Sequence, residues 1–372
     1  MKNRIAIDLL WLRPGKVGGT ESYIRNLLNG FMKLDDEFHF VLIASKDNED
    51  TFREYVKDAR FEMIVANIES KNIGKRIIWQ WLNQNRLLRK NELRRCFTPV
   101  YCRPLFNGGV KYVNTIHDIQ AYHYPKYHPF YEVWFSKLNW MLDKYFSRHI
   151  VAISQFVKDD LVKVYHFKEE KIDVIYNPIL VEKEDVVPFG ELKKQYGIET
   201  EEYFYSVSQL IPHKNFETLL YAFKAIKDSE SKLPCKLLVS GINGNAAEEL
   251  KKKLDQLDIK ENVILTGFVS NSVRNTLYRN CKAFLFPSVF EGFGMTAIEA
   301  MYFERPVLTT RCASIPEVTQ EKANYVKNPY DVKEWIEKME NLSNRYSELD
   351  FGRYDEVSIA KQYLKLLEKQ LL

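Results

Sequence analysis

Short apolar runs of strand length alternate with longer amphipathic stretches along nearly the whole chain, and this alternation restricts the fold more than any other feature. A run at 5–10 is followed by a helical pattern over 20–34 and by runs at 38–44 and 63–66. The series continues through 112–116, 150–153, a helical pattern over 156–164 and a run at 171–176. Ser154 stands before that helical pattern, with Asp159 and Asp160 in its early part, as a helix start requires. A second series has runs at 203–207, 235–240, 263–265, 283–286 and 307–310, with helices over 215–227 and 246–256. Strands interleaved with helices predict βαβ units and parallel sheets, an α/β fold in two similar halves.

The length of 372 residues suits two domains, each with its own core. The charged stretch 181–188, closed by Pro188 and preceded by Asn177-Pro178, is the linker candidate. The expected division is therefore 1–178 and 179–355, with a last helix over about 356–372 whose docking place the residues leave open. A net charge of +4 is too mild to argue for nucleic acid. No apolar run reaches about 18 residues and no signal-peptide core follows Met1, so the expectation is a cytoplasmic protein. Cys96, Cys102, Cys235, Cys281 and Cys312 are scattered, with no Cys-x-x-Cys and no His at ligand spacing, and read as reduced thiols rather than a disulfide framework or a zinc site.

The most informative chemistry lies after the run 283–286. Pro287-Ser288 leads into Glu291-Gly292-Phe293-Gly294-Met295 and a helix read over 297–302, which puts glycines where a strand's C-terminal edge turns into a helix N-terminus. Glycines let backbone N–H groups approach an anion, and the helix start adds about half a positive charge. A diphosphate fits such a turn. Glu291 precedes the glycines, whereas Glu299 lies five residues beyond Gly294, about 7 Å along the helix at ~1.5 Å per residue. The two carboxylates can accept hydroxyls on either side of a diphosphate; the plain alternative is a solvated Glu on a surface turn.

Gly15 to Glu21, with Gly18-Gly19, forms a second glycine turn between a strand and a helix, equally readable as a plain turn. His117-Asp118 ends the run 112–116, where an imidazole can exchange one hydrogen bond with substrate and Asp118 can orient it or cap the next turn. Lys214 lies in the loop after the second half's first strand, placed for a phosphate or simply on the surface. From Lys71 to Arg95, eight basic residues accompany one acid, Glu92, among Ile77, Ile78, Trp79, Trp81, Leu82, Leu87 and Leu88. That stretch reads either as an amphipathic helix packed on the sheet or as a face for an anionic membrane.

Together these residues resemble the retaining glycosyltransferases of family 4. The resemblance covers most of the chain: Gly18-Gly19, His117-Asp118, Ile153-Ser154, Ile175-Tyr176-Asn177-Pro178, Lys214-Asn215, Thr266-Gly267-Phe268, the Glu291 to Glu299 block and Ser314-Ile315-Pro316-Glu317-Val318. It implies a GT-B fold, two Rossmann-like domains with parallel sheets facing an interdomain cleft, the last helix crossing back onto the first domain. It implies a nucleotide-diphosphate-sugar donor, no metal or other cofactor, and transfer with retention to a glycan or polyprenyl-linked acceptor in bacterial surface polysaccharide synthesis. By motif match His117 and Glu291 would be the catalytic pair at the donor sugar, and Gly292, Phe293, Gly294 and Met295 would meet sugar and diphosphate. Glu299 would hold the ribose, Lys214 the diphosphate, Gly19 the phosphate side, and Phe268 would flank the base.

Two positions depart from the family pattern. Gln209 stands where a basic residue is usual, leaving diphosphate charge to Lys214 and backbone dipoles, and Tyr302-Phe303-Glu304-Arg305-Pro306 lacks the usual small Gly. They keep open a catalytically silent partner of an active transferase. Gly292-x-Gly294-x-x-Ala297 also fits a dinucleotide fingerprint, so an NAD(P)-dependent oxidoreductase is the rival enzyme, though Arg311 stands where the ribose-binding acid is expected.

Overall fold

The computed structural model describes residues 3–198, 202–207, 209, 211–241 and 245–371; Leu210, in the Lys214 loop, and Leu372 lie outside them. The chain divides into two units: one runs to Leu180 and takes back the chain from Phe351 onward, and the other is Val181–Asp350.

The first unit is built on a seven-stranded sheet: β1 (Arg4–Asp8), β2 (His39–Ser45), β3 (Phe61–Ala66), β4 (Arg95–Thr98), β5 (Lys111–Ile116), β6 (His149–Ala152) and β7 (Ile172–Val174), in the order β3-β2-β1-β4-β5-β6-β7. Every pairing is parallel, with Ile5 opposite Phe40 and Val113 opposite His149. Ile5, Ala6 and Ile7 are fully buried, because helices cover both faces of a parallel sheet and its strands read as unbroken apolar runs. One core gathers Leu27, Leu28 and Phe31 of the Gly19–Met32 helix, Phe40 and Phe97 of the sheet, and Ile359, Tyr363 and Leu367 of the Glu356–Leu371 helix. Gly30 lets those two helices touch, since a Cβ there would run into the backbone of Glu356. The last helix thus packs within the first unit.

Among the elements that the sequence pattern does not mark are β4 and the Phe130–Phe146 helix, and the basic stretch proves to be two things. Its first part is helical, Ile73–Trp79 continued by a π-helical segment Gln80–Gln84 into Asn85–Lys90, and its end, Arg95, enters β4. Four residues, Arg-Cys-Phe-Thr, carry little periodicity; the slot between β1 and β5 makes them a strand.

The second sheet contains β8 (Tyr203–Val207), β9 (Lys236–Ser240), β10 (Val263–Gly267), β11 (Ala283–Phe286), β12 (Val307–Thr310) and β13 (Asn324–Val326), ordered β10-β9-β8-β11-β12-β13 and again parallel. Strand order reverses between β1 and β4 and between β8 and β11, so the loops leaving those strands open at the point where such sheets bind ligands.

The glycine-loop helix begins at Met295 rather than 297, with Gly294 before it at φ 94°, and ends at Tyr302. Glu304 then takes a left-handed φ of 62°, with its N–H bonded to Met301 O at 2.9 Å and that of Arg305 to Ala300 O at 3.2 Å. This is a Schellman end in which a glutamate occupies the glycine position, at a cost of roughly 1 kcal/mol.

Candidate functional site

In the second unit the loops after β8 and β11 meet. Lys214 Nζ donates to Glu291 Oε1 at 2.7 Å, both side chains largely enclosed. The β11 loop is held from several sides: Ser314 Oγ donates to Glu291 O at 2.9 Å or to Phe293 O at 3.1 Å, and Val289 N–H donates to His213 O at 2.8 Å. Thr310 Oγ1 donates to Ser288 O at 2.6 Å, which fastens the loop to β12. Gly292 and Phe293 are buried within it. At Gly294 a Cβ would stand 3.2 Å from the Phe286 ring, so both space and the positive φ select glycine. The Met295–Tyr302 helix has a glycine at its N-cap and no acid in its first turn, so the positive end of its dipole faces the loop.

Glu299 is buried on that helix. Tyr278 Oη donates to its Oε2 at 3.1 Å, and Arg274 Nε stands 3.6 Å from the same oxygen. The carboxylate in turn raises the guanidinium's pKa, and burial raises that of the Tyr278 phenol well above its usual range. Arg274 and Tyr278 lie four residues apart on the Asn271–Asn280 helix, one face turned to Glu299; that i, i+4 pair was the signal available in the sequence. Gln209 is exposed in the β8 loop. Phe268 follows the edge strand β10 and is 74% exposed, with β9 and β8 between β10 and β11. Arg311, after β12, pairs with Glu321 at 2.7 Å and covers the Tyr325 ring at 4.4 Å, which is a surface arrangement with no ribose-binding acid.

In the first unit His117 leaves β5 and its Nε2 lies 2.8 Å from Pro99 O, just past β4. A carbonyl only accepts, so Nε2 carries the proton and Nδ1 is the ring's acceptor. The Tyr23 ring meets the imidazole edge-on at 4.9 Å, and Tyr23 Oη bonds Tyr363 Oη at 2.7 Å, so the last helix supports the histidine through one intermediary. Burial lowers the His117 pKa to about 4 against the opposing Pro99 hydrogen bond, leaving a neutral ring at ordinary pH even though the residue keeps a partly exposed edge. Asp118 Oδ1 accepts from Gln120 N at 2.9 Å and caps the following turn. Gly19 begins its helix after Gly18 at φ 57°, and the Glu21 carboxylate occupies this turn, its Oε2 accepting from Gly15 N at 2.8 Å.

No described helix is long and apolar enough to cross a membrane. Residues 188–354 match the family model for Glycosyl transferases group 1, and residues 17–183 match that for Glycosyltransferase Family 4. The O-antigen chain mannosyltransferase RfbU of Salmonella typhimurium is 30% identical over 354 residues, 92% of this chain and 94% of that protein. The capsular polysaccharide biosynthesis glycosyltransferase CapM of Staphylococcus aureus is 30% identical over 207 residues, 52% of each chain. Among solved structures, HepE of Anabaena in complex with UDP-glucose superposes with a TM-score of 0.73 at 16% identity, over 98% of this chain and 99% of that one. Sucrose-phosphate synthase from Thermosynechococcus elongatus reaches 0.75 at 15% identity, over 99% and 98%. The nicotinamide-enzyme reading falls with these matches: the chain belongs to the group 1, family 4 glycosyltransferases and carries their GT-B fold.

Proposed function

We propose that this glycosyltransferase moves a hexosyl residue, mannosyl first among candidates, from a nucleotide-diphosphate sugar to a glycan or polyprenyl-linked acceptor in surface polysaccharide assembly, with retention and without a metal. The observation that carries the reading is the Lys214–Glu291 pair at 2.7 Å beside a helix start with no acid in its first turn. The glycine turn and Lys214 receive the diphosphate, Glu291 exchanges its lysine contact for donor hydroxyls, and Glu299, held by Tyr278 and Arg274, accepts from the ribose. His117, neutral, accepts a sugar hydroxyl at Nδ1. The mannosyl preference and the polysaccharide setting draw on RfbU and CapM, described respectively as an O-antigen chain mannosyltransferase and a capsular polysaccharide enzyme. On this reading the protein works in the cytoplasm, peripheral to the membrane that bears such an acceptor.

In the reaction the bond from the anomeric carbon to the β-phosphate oxygen breaks and its electron pair goes to that oxygen. The acceptor oxygen attacks from the same face, and its proton passes to the leaving phosphate. Lys214 and the helix N–H groups stabilise the charge that grows there, about 3 kcal/mol for each well-placed donor. No pair of acids flanking one bond is required, unlike glycoside hydrolysis.

A thermal-shift panel of UDP-, GDP- and dTDP-sugars, followed by transfer assays with and without chelator and by NMR of the product's anomeric configuration, tests the proposal. Stabilisation by one donor and a retained configuration are expected; an inverted product or a glycosyl adduct isolated on Glu291 would falsify the mechanism. Gln209 favours a second reading, a silent partner subunit, for which donor would bind with no turnover on any acceptor.

A further inference from the structure

Two helices of the first unit turn apolar side chains outward. Along Phe130–Phe146 the exposed positions 130, 134, 137, 141 and 145 fall on one helical face, and three are aromatic: Phe130 is 84% exposed, Trp134 56% and Tyr145 64%. Along 73–90 the exposed positions 75, 78, 82, 86 and 89 form a similar stripe, apolar at its middle in Ile78 and Leu82, Leu82 being 73% exposed, and basic at its ends in Lys75, Arg86 and Arg89. The helices touch, with the Trp81 and Phe135 rings 6.5 Å apart. The loop 104–109 joins them: Asn85 Nδ2 donates to Phe106 O, and Asn107 Nδ2 donates to Phe146 O, which holds the exposed Phe106 beside both stripes.

Charge on this face has one sign. Between Lys71 and Asn91 there is no Asp or Glu, Lys137 stands within the aromatic stripe, and Lys144 Nζ lies 5.3 Å from the Tyr145 ring centroid. Glu132 is the one exposed acid among the residues of the Phe130–Phe146 helix. Contiguous exposed aromatics are uncommon on a protein that meets only water. Trp, Tyr and Phe settle at the boundary between headgroups and acyl chains, and lysine and arginine around them find lipid phosphates. Side chains projecting from two convex helices suit a deformable surface better than a rigid one.

We propose that this two-helix face docks the protein on an anionic phospholipid bilayer. The inference goes beyond the basic stretch alone, because the aromatic half of the face comes from a helix 40 or more residues further along the chain. It stands on the surface itself and is independent of which sugar is transferred.

Co-sedimentation of the purified full chain with vesicles of phosphatidylcholine alone or mixed with phosphatidylglycerol tests it. Binding is expected only to the mixed vesicles and weakens as salt rises. With roughly fivefold in partitioning per basic residue, joint reversal of Lys75→Glu, Arg86→Glu and Arg89→Glu lowers partitioning by at least about a hundredfold. Leu82→Ser with Trp134→Ser lowers it by about tenfold or more by removing apolar insertion. Brominated lipid quenches Trp134, seen as the part of the quench lost in Trp134→Phe; this readout stands if the serine variants fold poorly. The proposal is overturned if the wild type ignores the mixed vesicles at low salt, or if both variant sets bind as it does. A dimer dissolved by Trp134→Ser in the absence of vesicles also overturns it, since the face would then belong to a second copy.

Discussion

At Gly15–Gly19 and at Gly292–Gly294 the chain leaves a buried parallel strand, passes through a glycine with positive φ and enters a helix. In the first turn Glu21 folds back, one carboxylate oxygen on Gly15 N and the other on Arg25 at 3.0 Å, so the loop already holds an anion of its own. In the second no acid lies in the helix's first turn, and the nearest carboxylate, Glu291, is tied to Lys214 in front of it. A glycine turn supplies donors; whether it receives a substrate anion depends on what charge the neighbouring side chains have already delivered. On this ground we propose the second turn, rather than the first, as the diphosphate seat.

The largest expected effect is at Lys214. Lys214→Met lowers kcat/KM by about a hundredfold to a thousandfold, the loss of one well-aimed charged donor, measured by initial rates with the donor chosen from the panel. A loss below tenfold breaks the comparison by removing the cation from the second turn's account.

His117 comes next and tests the first unit. Its folded pKa of about 4 lies below the ordinary 6.5, so the unfolded chain binds the extra proton between these values and stability rises with pH across that window. The contribution is complete above pH 6.5 and lost as pH falls toward 4, at most about 3 kcal/mol, less what the partly exposed edge concedes to water. Burial raises Asp8 to about 6 and Asp143 to about 7, so these groups act in the opposite sense. The check is therefore the difference in urea-unfolding free energy between wild type and His117→Gln, which should grow from pH 4 to pH 7; a flat difference removes the buried neutral ring.

Gly294→Ala against Gly19→Ala sharpens the contrast in backbone terms. The first meets the Phe286 ring and a φ of 94° and should cost about 2 kcal/mol; the second has open space and helical geometry and should change stability by less than about 0.5 kcal/mol. Thermal midpoints of the two variants decide it. Smallest is Glu21→Gln, which weakens the Gly15 contact by about 1 kcal/mol and should leave donor affinity within about twofold; a donor that binds tenfold tighter would show that the first turn also receives phosphate.

Much of the architecture was legible. The runs 283–286 and 307–310 became β11 and β12 with the same bounds, since every residue of both strands, Thr309 and Thr310 included, is buried. Short β4, which opens on Arg95 at the end of the basic stretch, carries too little signal to stand out. At the site, Lys214 and Glu291 were each legible as strand-end residues, but their contact joins positions 77 apart and depends on β8 and β11 being neighbours. The capping role of Asp118 has a local cause, since an Asp two residues before a backbone N–H readily closes its own turn.

By itself the sequence determined the period of each element, the glycines at turns with positive φ, the acids and lysine at strand ends, and through these the family. These are local properties, set by neighbours within a few positions along the chain. The tertiary structure alone decided that Glu291 is paired with Lys214, that Glu299 is gripped by Tyr278 and Arg274, that His117 is neutral over Tyr23, and that aromatic and basic stripes from separate helices share one face. Each is a contact between distant parts of the chain, and strand order and burial, which no single window of sequence contains, bring the partners together and set their charge.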